Sequence, residues 1–123
     1  MITEGTTASR SLVVTSADTA VALGSGDVDV LGTPRVVALC EEAAVAALAG
    51  LLPEGSTTVG TTITLEHLAA TPVGGSVVAS ATVIAVDGRM VAFSLSVVDG
   101  DTVSALGDHT RAVVDRKRFE ASL

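Results

Sequence analysis

The residues of this chain that could do chemistry are few: Thr33, the adjacent Glu41 and Glu42, His67, His109, Arg111 and the lone Cys40. The glutamates need explaining first. They interrupt an apolar run from Val36 to Ala49, and an unpaired buried carboxylate costs several kcal/mol or more. In a helix, the neighbours three and four residues away are Val37, Ala38, Ala44 and Val45 for Glu41, and Ala38, Leu39, Val45 and Ala46 for Glu42. None is cationic. Each carboxylate therefore needs a partner from another element or from water, for instance in a solvent gap at a sheet edge.

His67 falls in the alternating stretch Thr61 to Ala70, on the face of Ile63 and Leu65, while Thr62, Thr64 and Glu66 point the other way. The apolar face should meet the helix. An imidazole there is ordinarily a satisfied core histidine; beside a hydroxyl and a carboxylate it becomes a general base. Thr33 reads structurally as a helix N-cap. A hydroxyl at that place also lies beside unpaired backbone N–H groups and the positive end of the helix dipole, where an oxyanion is stabilised. Arg111 shares a strand face with His109 and Val113, where it could pair ions on the surface or neutralise and orient a buried glutamate. His109 has no motif around it and is expected to be exposed. Cys40 reads as a small core residue, not a reactive thiol. Being alone, it excludes an intramolecular disulfide. The histidines and scattered carboxylates lack the spacing of metal ligands.

The elements that must position these groups are legible from turn signals and periodicity. Arg10 to Thr15 reads as a first strand, and residues 17–32, rich in Gly, Asp and small side chains, as a loop or lid. Thr33-Pro34 opens one long helix over 33–52, stopped by Pro53-Glu54-Gly55. Four strand-like segments follow: Thr57 to Thr71, Val77 to Val86, Arg89 to Val98 and Thr102 to Arg118. Asp87-Gly88 and Asp99-Gly100 mark hairpins, and Gly107 marks a bulge. One strand, one helix and four hairpin-linked strands is α+β order, a five-stranded antiparallel sheet curled around a central helix. The helix is apolar all round apart from its glutamates, which predicts that protein wraps it.

The chain of 123 residues is long enough for one domain, 1–123. Its mean hydropathy of +0.60 marks a globular chain. A net charge of -7 argues against nucleic acid. The short basic cluster Arg116, Lys117 and Arg118 reads as a solvated terminal strand or as an anchor for phosphates. No basic-then-apolar leader opens the chain and no apolar stretch is long enough to span a membrane, so a soluble cytoplasmic protein is expected.

From Thr33 to about Phe119 the sequence resembles the fluoroacetyl-CoA thioesterase branch of the hot-dog thioesterases. The segments that carry the resemblance are Thr33-Pro34 through Cys40-Glu41-Glu42, the block Gly60-Thr61 through His67 to Ala69-Ala70-Thr71-Pro72, and His109-Thr110-Arg111-Ala112-Val113. The resemblance implies catalytic roles for Thr33, Glu41 and His67, a Gly60 whose backbone approaches the acyl group, and an Arg111 that supports the site. It also implies an acyl-CoA substrate, no cofactor, and a homodimer or tetramer with active sites at or near the subunit interface. The family's enzyme carries aromatic residues before the helix that gate a small fluorinated acyl group; residues 17–32 here contain none. A wider acyl pocket is the expectation. The expected reaction is hydrolysis of a small or medium acyl-CoA to free acid and CoA, with His67 as general base on water or on the Thr33 hydroxyl, and Glu41 either orienting and charge-stabilising His67 or attacking the carbonyl itself. Two rivals are a hot-dog module that binds acyl-CoA or an acyl carrier without turnover, and an enoyl-CoA hydratase. The second would need an Asp/His pair, and only Asp108-His109 offers one, on opposite faces of a strand.

Overall fold

The computed structural model describes residues 1–123. Strand β1 (Thr7–Val13) is followed by a 3-10 turn (Ser16–Asp18), the short α1 (Ala20–Leu23) and the central helix α2 (Thr33–Ala47). Then come β2 (Ser56–His67), β3 (Ser76–Asp87), β4 (Met90–Asp99), β5 (Thr102–Asp115) and α3 (Arg116–Ala121). The strands form one antiparallel sheet in the order β1-β3-β4-β5-β2. This is the expected helix-in-sheet architecture of the hot-dog fold.

Alternation builds the core. Val77, Ala79, Ala81 and Val83 of β3, and Val91, Phe93, Leu95 and Val97 of β4, are buried at every second position. Against them α2 lays Val36, Leu39, Cys40, Ala43, Ala44 and Ala47. Alanines on both surfaces let helix and sheet approach closely. On β5 the inward positions turn polar, with His109 and Arg111 buried beneath the middle of α2. The two Asp-Gly hairpins form as expected, with Gly88 (φ 58) and Gly100 (φ 57) at the first loop position.

Several boundaries differ from the sequence reading. Helix α2 ends at Ala47, not near 52, because the chain turns through Leu48 to Gly50, whose φ is 76. Residues 17–32 are not plain loop: they hold the 3-10 turn and α1, pinned by the bridges Thr19↔Leu31 and Val30↔Pro72. Strand β5 stops at Asp115, whose carboxylate caps α3 by accepting from the Arg118 N–H at 2.9 Å, so the basic cluster sits on a helix. Gly107 is not a bulge. It is in register with Leu65 and Leu95, and its lack of a side chain admits the Thr64 carbonyl. The bulge of β5 falls at Ser104, which the register skips between Val97↔Ala105 and Val98↔Val103. A second bulge, Thr61, interrupts β2 between Gly60 and Thr62. It turns both Gly60 and Ile63 inward. Finally, α2 is not wrapped all round: Ala38, Glu42 and Val45 form an exposed flank.

Candidate active site

Gly32, not Thr33, occupies the N-cap of α2, and no side chain caps it. The N–H groups of Arg35 and Val36 both return to the Gly32 carbonyl, and Pro34 has none. These two N–H groups therefore need no cap from the Thr33 side chain. Its hydroxyl points instead to His67, with Oγ1 2.9 Å from Nδ1. His67 closes β2 on the inward face, as alternation predicts. Its Nε2 is buried without a hydrogen-bond partner. Thr33 and His67 open onto a cavity of about 240 Å³ whose other walls include Ala20, Val30, Leu31, Ala69 and Ala70.

Glu41 lies eight residues further along α2, about 12 Å at the helical rise. Its Oε2 accepts from Arg111 Nη1 at 3.0 Å and is 3.8 Å from His109 Nε2. The partner comes from another element, as the sequence demands. Arg111 is 7% exposed, so it is no surface ion pair; its Nε and Nη2 donate to the Thr58 hydroxyl and carbonyl. Gly60 stands opposite Arg111 in the ladder, and a Cβ there would overlap Glu41 Oε2. The glycine is what lets the carboxylate reach its arginine. No hydrogen bond or ion pair joins this cluster to Thr33 and His67 within one protomer.

Glu42 has a different fate. Its carboxylate accepts from Arg35 Nη1 at 2.9 Å, seven residues back on the same helix, a spacing two turns long. Arg35 also donates to Asp18 at 3.2 Å and so ties the 3-10 turn to α2. The Thr15 backbone N–H holds the Asp18 carboxyl below its ordinary value, against the opposing effect of burial.

His109 corrects an expectation, being 2% exposed. The Thr62 carbonyl lies 2.7 Å from Nδ1, which donates to it, leaving Nε2 to accept from Arg111 Nη1 at 3.2 Å. This network describes a neutral imidazole. Burial and the neighbouring Arg111 push its pKa below the ordinary value, against the Thr62 bond and Glu41. Its ring stacks on Phe93 at 6.0 Å. His109 therefore braces the arginine that holds Glu41. The signal for it was its shared strand face with Arg111. Asp108, by contrast, is exposed on the opposite face, so the adjacent pair cannot act together. Cys40 is fully buried, and burial first, then the Glu41 charge, pushes its thiol up to about 11. It is a packing residue.

Comparison with known proteins agrees with the family and the fold. A family model described as fluoroacetyl-CoA-specific thioesterase matches residues 14–117. A fluoroacetyl-CoA thioesterase from Streptantibioticus cattleyicolor is 37% identical over 95 residues, which cover 77% of this chain and 68% of that protein. Among solved structures, that of the fluoroacetyl-CoA thioesterase FlK superposes with a TM-score of 0.93 at 31% identity, over 99% of this chain and 95% of that one. A hot-dog-like protein from Thermanaerovibrio acidaminovorans superposes with a TM-score of 0.88 at 27% identity, covering 97% of this chain and 88% of its own. A hydroxyl paired with an imidazole, a carboxylate held by a buried arginine, the hot-dog sheet and these matches converge: the chain belongs to the fluoroacetyl-CoA-specific thioesterase family and is a thioester hydrolase.

Proposed function

We propose that the protein hydrolyses a small or medium acyl-CoA, with Thr33, His67 and Glu41 at the reacting centre and the centre completed across a homodimer. The observation that carries this reading is the Thr33–His67 hydrogen bond at 2.9 Å, formed by a threonine freed from capping its helix. A nucleophile and base in direct contact are the signature of covalent acyl transfer. His67 Nδ1 takes the Thr33 proton as Oγ1 bonds to the thioester carbonyl carbon. The C–S bond then breaks and the thiolate of CoA leaves with that proton. Water attacks the acyl-threonine ester, its proton passing through His67 back to Thr33, and the free acid departs. The Thr33 N–H and the positive end of α2 stabilise the oxyanion.

Glu41 enters from the partner subunit. Strand β2 is a sheet edge of twelve residues without lysine or proline to guard it, and such an edge favours pairing. Antiparallel pairing of two β2 strands centred on Thr64 sets Ile63 against Leu65 of the other copy and Thr62 against Glu66. Because Thr61 is bulged, His67 then falls opposite Gly60 of the other copy. Each Thr33–His67 pair thereby meets a carboxylate held by Arg111 beside that glycine. The negative charge offsets the cation that forms on His67 during turnover. Two equivalent sites result.

The cavity beside Thr33 supports small or medium acyl groups, and its walls carry no Phe, Tyr or Trp. Fluoroacetyl selectivity is therefore not expected here. A thiol-release assay on acetyl-, fluoroacetyl-, butyryl- and isobutyryl-CoA tests the reading, with Thr33→Ala, Glu41→Ala and His67→Ala beside wild type. Turnover by wild type and losses of about 10²-fold or more in each variant are expected. Equal background rates in all four would leave a binding module instead.

A further inference from the structure

The chain carries seven Lys and Arg residues against fourteen Asp and Glu, so most of its surface repels a polyanion such as CoA. Several of the cations are already engaged. Arg35 binds Asp18 and Glu42, Arg111 binds Glu41, and Arg116 lies 3.9 Å from Glu120. Arg10, Arg89, Lys117 and Arg118 make no ion pair. Two of these free cations meet in one place. Arg89 of the β3–β4 hairpin and Arg118 of α3 line a single cavity of about 320 Å³, together with Val113, Val114 and Phe119.

Phe119 is the second anomaly of the same cavity. Only two aromatic residues occur in the chain; Phe93 is fully buried, whereas Phe119 remains 36% exposed. The hairpin is clamped to β5 here by the Val113 N–H donating to the Arg89 carbonyl at 2.8 Å, and α3 by its Asp115 cap. The Asp115 carboxylate also lines the cavity, but it is turned to the Arg118 backbone N–H. An open aromatic face flanked by two unpaired guanidinium groups suits a phosphorylated purine, with the base against the ring and phosphates on the arginines.

We infer that this cavity binds the 3′-phosphoadenosine diphosphate end of CoA. The inference rests on the acyl-CoA reading above. Its geometry is compatible with that reading: Val114 lies three residues along β5 from Arg111, about 10 Å, a gap a pantetheine arm can cross. Arg89, Arg118 and Phe119 are thus specificity residues for the nucleotide, remote from the bond that breaks.

Two measurements test it. Arg89→Ala and Arg118→Ala are expected to raise KM for acyl-CoA roughly tenfold, the effect of losing one charge-assisted hydrogen bond. Neither kcat nor hydrolysis of the same acyl group on pantetheine should change. Equal losses on both thioesters, or none on either, would overturn the site. Because the chain has no Trp or Tyr, Phe119→Trp supplies a unique fluorophore that reports binding without turnover. Adenosine 3′,5′-bisphosphate should alter its emission saturably, and Arg118→Ala in that background should weaken the response. A flat titration refutes the nucleotide site. If neither thioester is turned over while the titration saturates, the hydrolase reading fails and the nucleotide site stands.

Discussion

Thr33 gives its hydroxyl to His67 because Gly32 already accepts the first-turn N–H groups of α2. A residue needed for capping would not be free for this. Thr33→Ala should therefore abolish turnover at little cost in stability, and Thr33→Ser should retain part of the rate, as a hydroxyl nucleophile requires. A melting temperature within a few degrees of wild type, measured beside the rates, separates loss of chemistry from loss of fold. His109 makes the opposite kind of prediction. Its folded pKa is depressed, so between the folded and the unfolded value the unfolded state binds more protons and stability rises with pH. The contribution is complete above about 6.5, the unfolded value, and declines as pH falls below it. Urea unfolding between pH 5 and 7.5 should lose this slope in His109→Gln. Its burial is legible in the alternation that places Arg111, since the two share a face; the lack of a motif around a histidine says nothing about exposure.

Among the elements, glycines mark where backbone and side chains approach most closely. Gly60→Ala would drive a Cβ into Glu41 and to within 3.3 Å of Arg111 Nη1. The carboxylate must then move, and a kcat loss of tenfold or more with a nearly unchanged fold is expected. Gly107→Ala would press on the Thr64 carbonyl deep in the β2–β5 ladder and should cost about 1–3 kcal/mol in chemical unfolding, with activity following stability. Most of the element order was readable: the hairpins lie at their Asp-Gly pairs, and the alternation of β2 carried His67 to the helix. What escaped has physical causes. Alternation through Thr102 to Val114 masks the change at Asp115, where a capping side chain precedes the helix formers Arg116, Lys117 and Arg118. The partner of Glu42 lies two turns away, beyond the one-turn window in which ion pairs are usually sought. Bulges at Thr61 and Ser104 leave no compositional mark, yet the first of them puts Gly60 on the inner face.

At the scale of the whole molecule, one protomer presents the hydroxyl–imidazole pair and the arginine-held carboxylate as separate clusters, and the proposed pairing of a second copy along β2 would join them. Pairing centred on Thr64 brings that residue next to itself, with Cα atoms about 4.5–5.5 Å apart, within the reach of a disulfide. Thr64→Cys should therefore crosslink into a covalent dimer under mild oxidation. Cys40 will not compete, since its thiol is buried and pushed up to about 11. A variant that stays monomeric on a non-reducing gel would exclude this register. The most direct test mixes two inactive variants, Glu41→Ala and His67→Ala, after unfolding and refolding them together, and follows thiol release from the best acyl-CoA substrate. A composite site predicts recovery of about a quarter of wild-type activity, because half the dimers are mixed and each has one intact site. A mixture as inactive as either variant alone would contradict it.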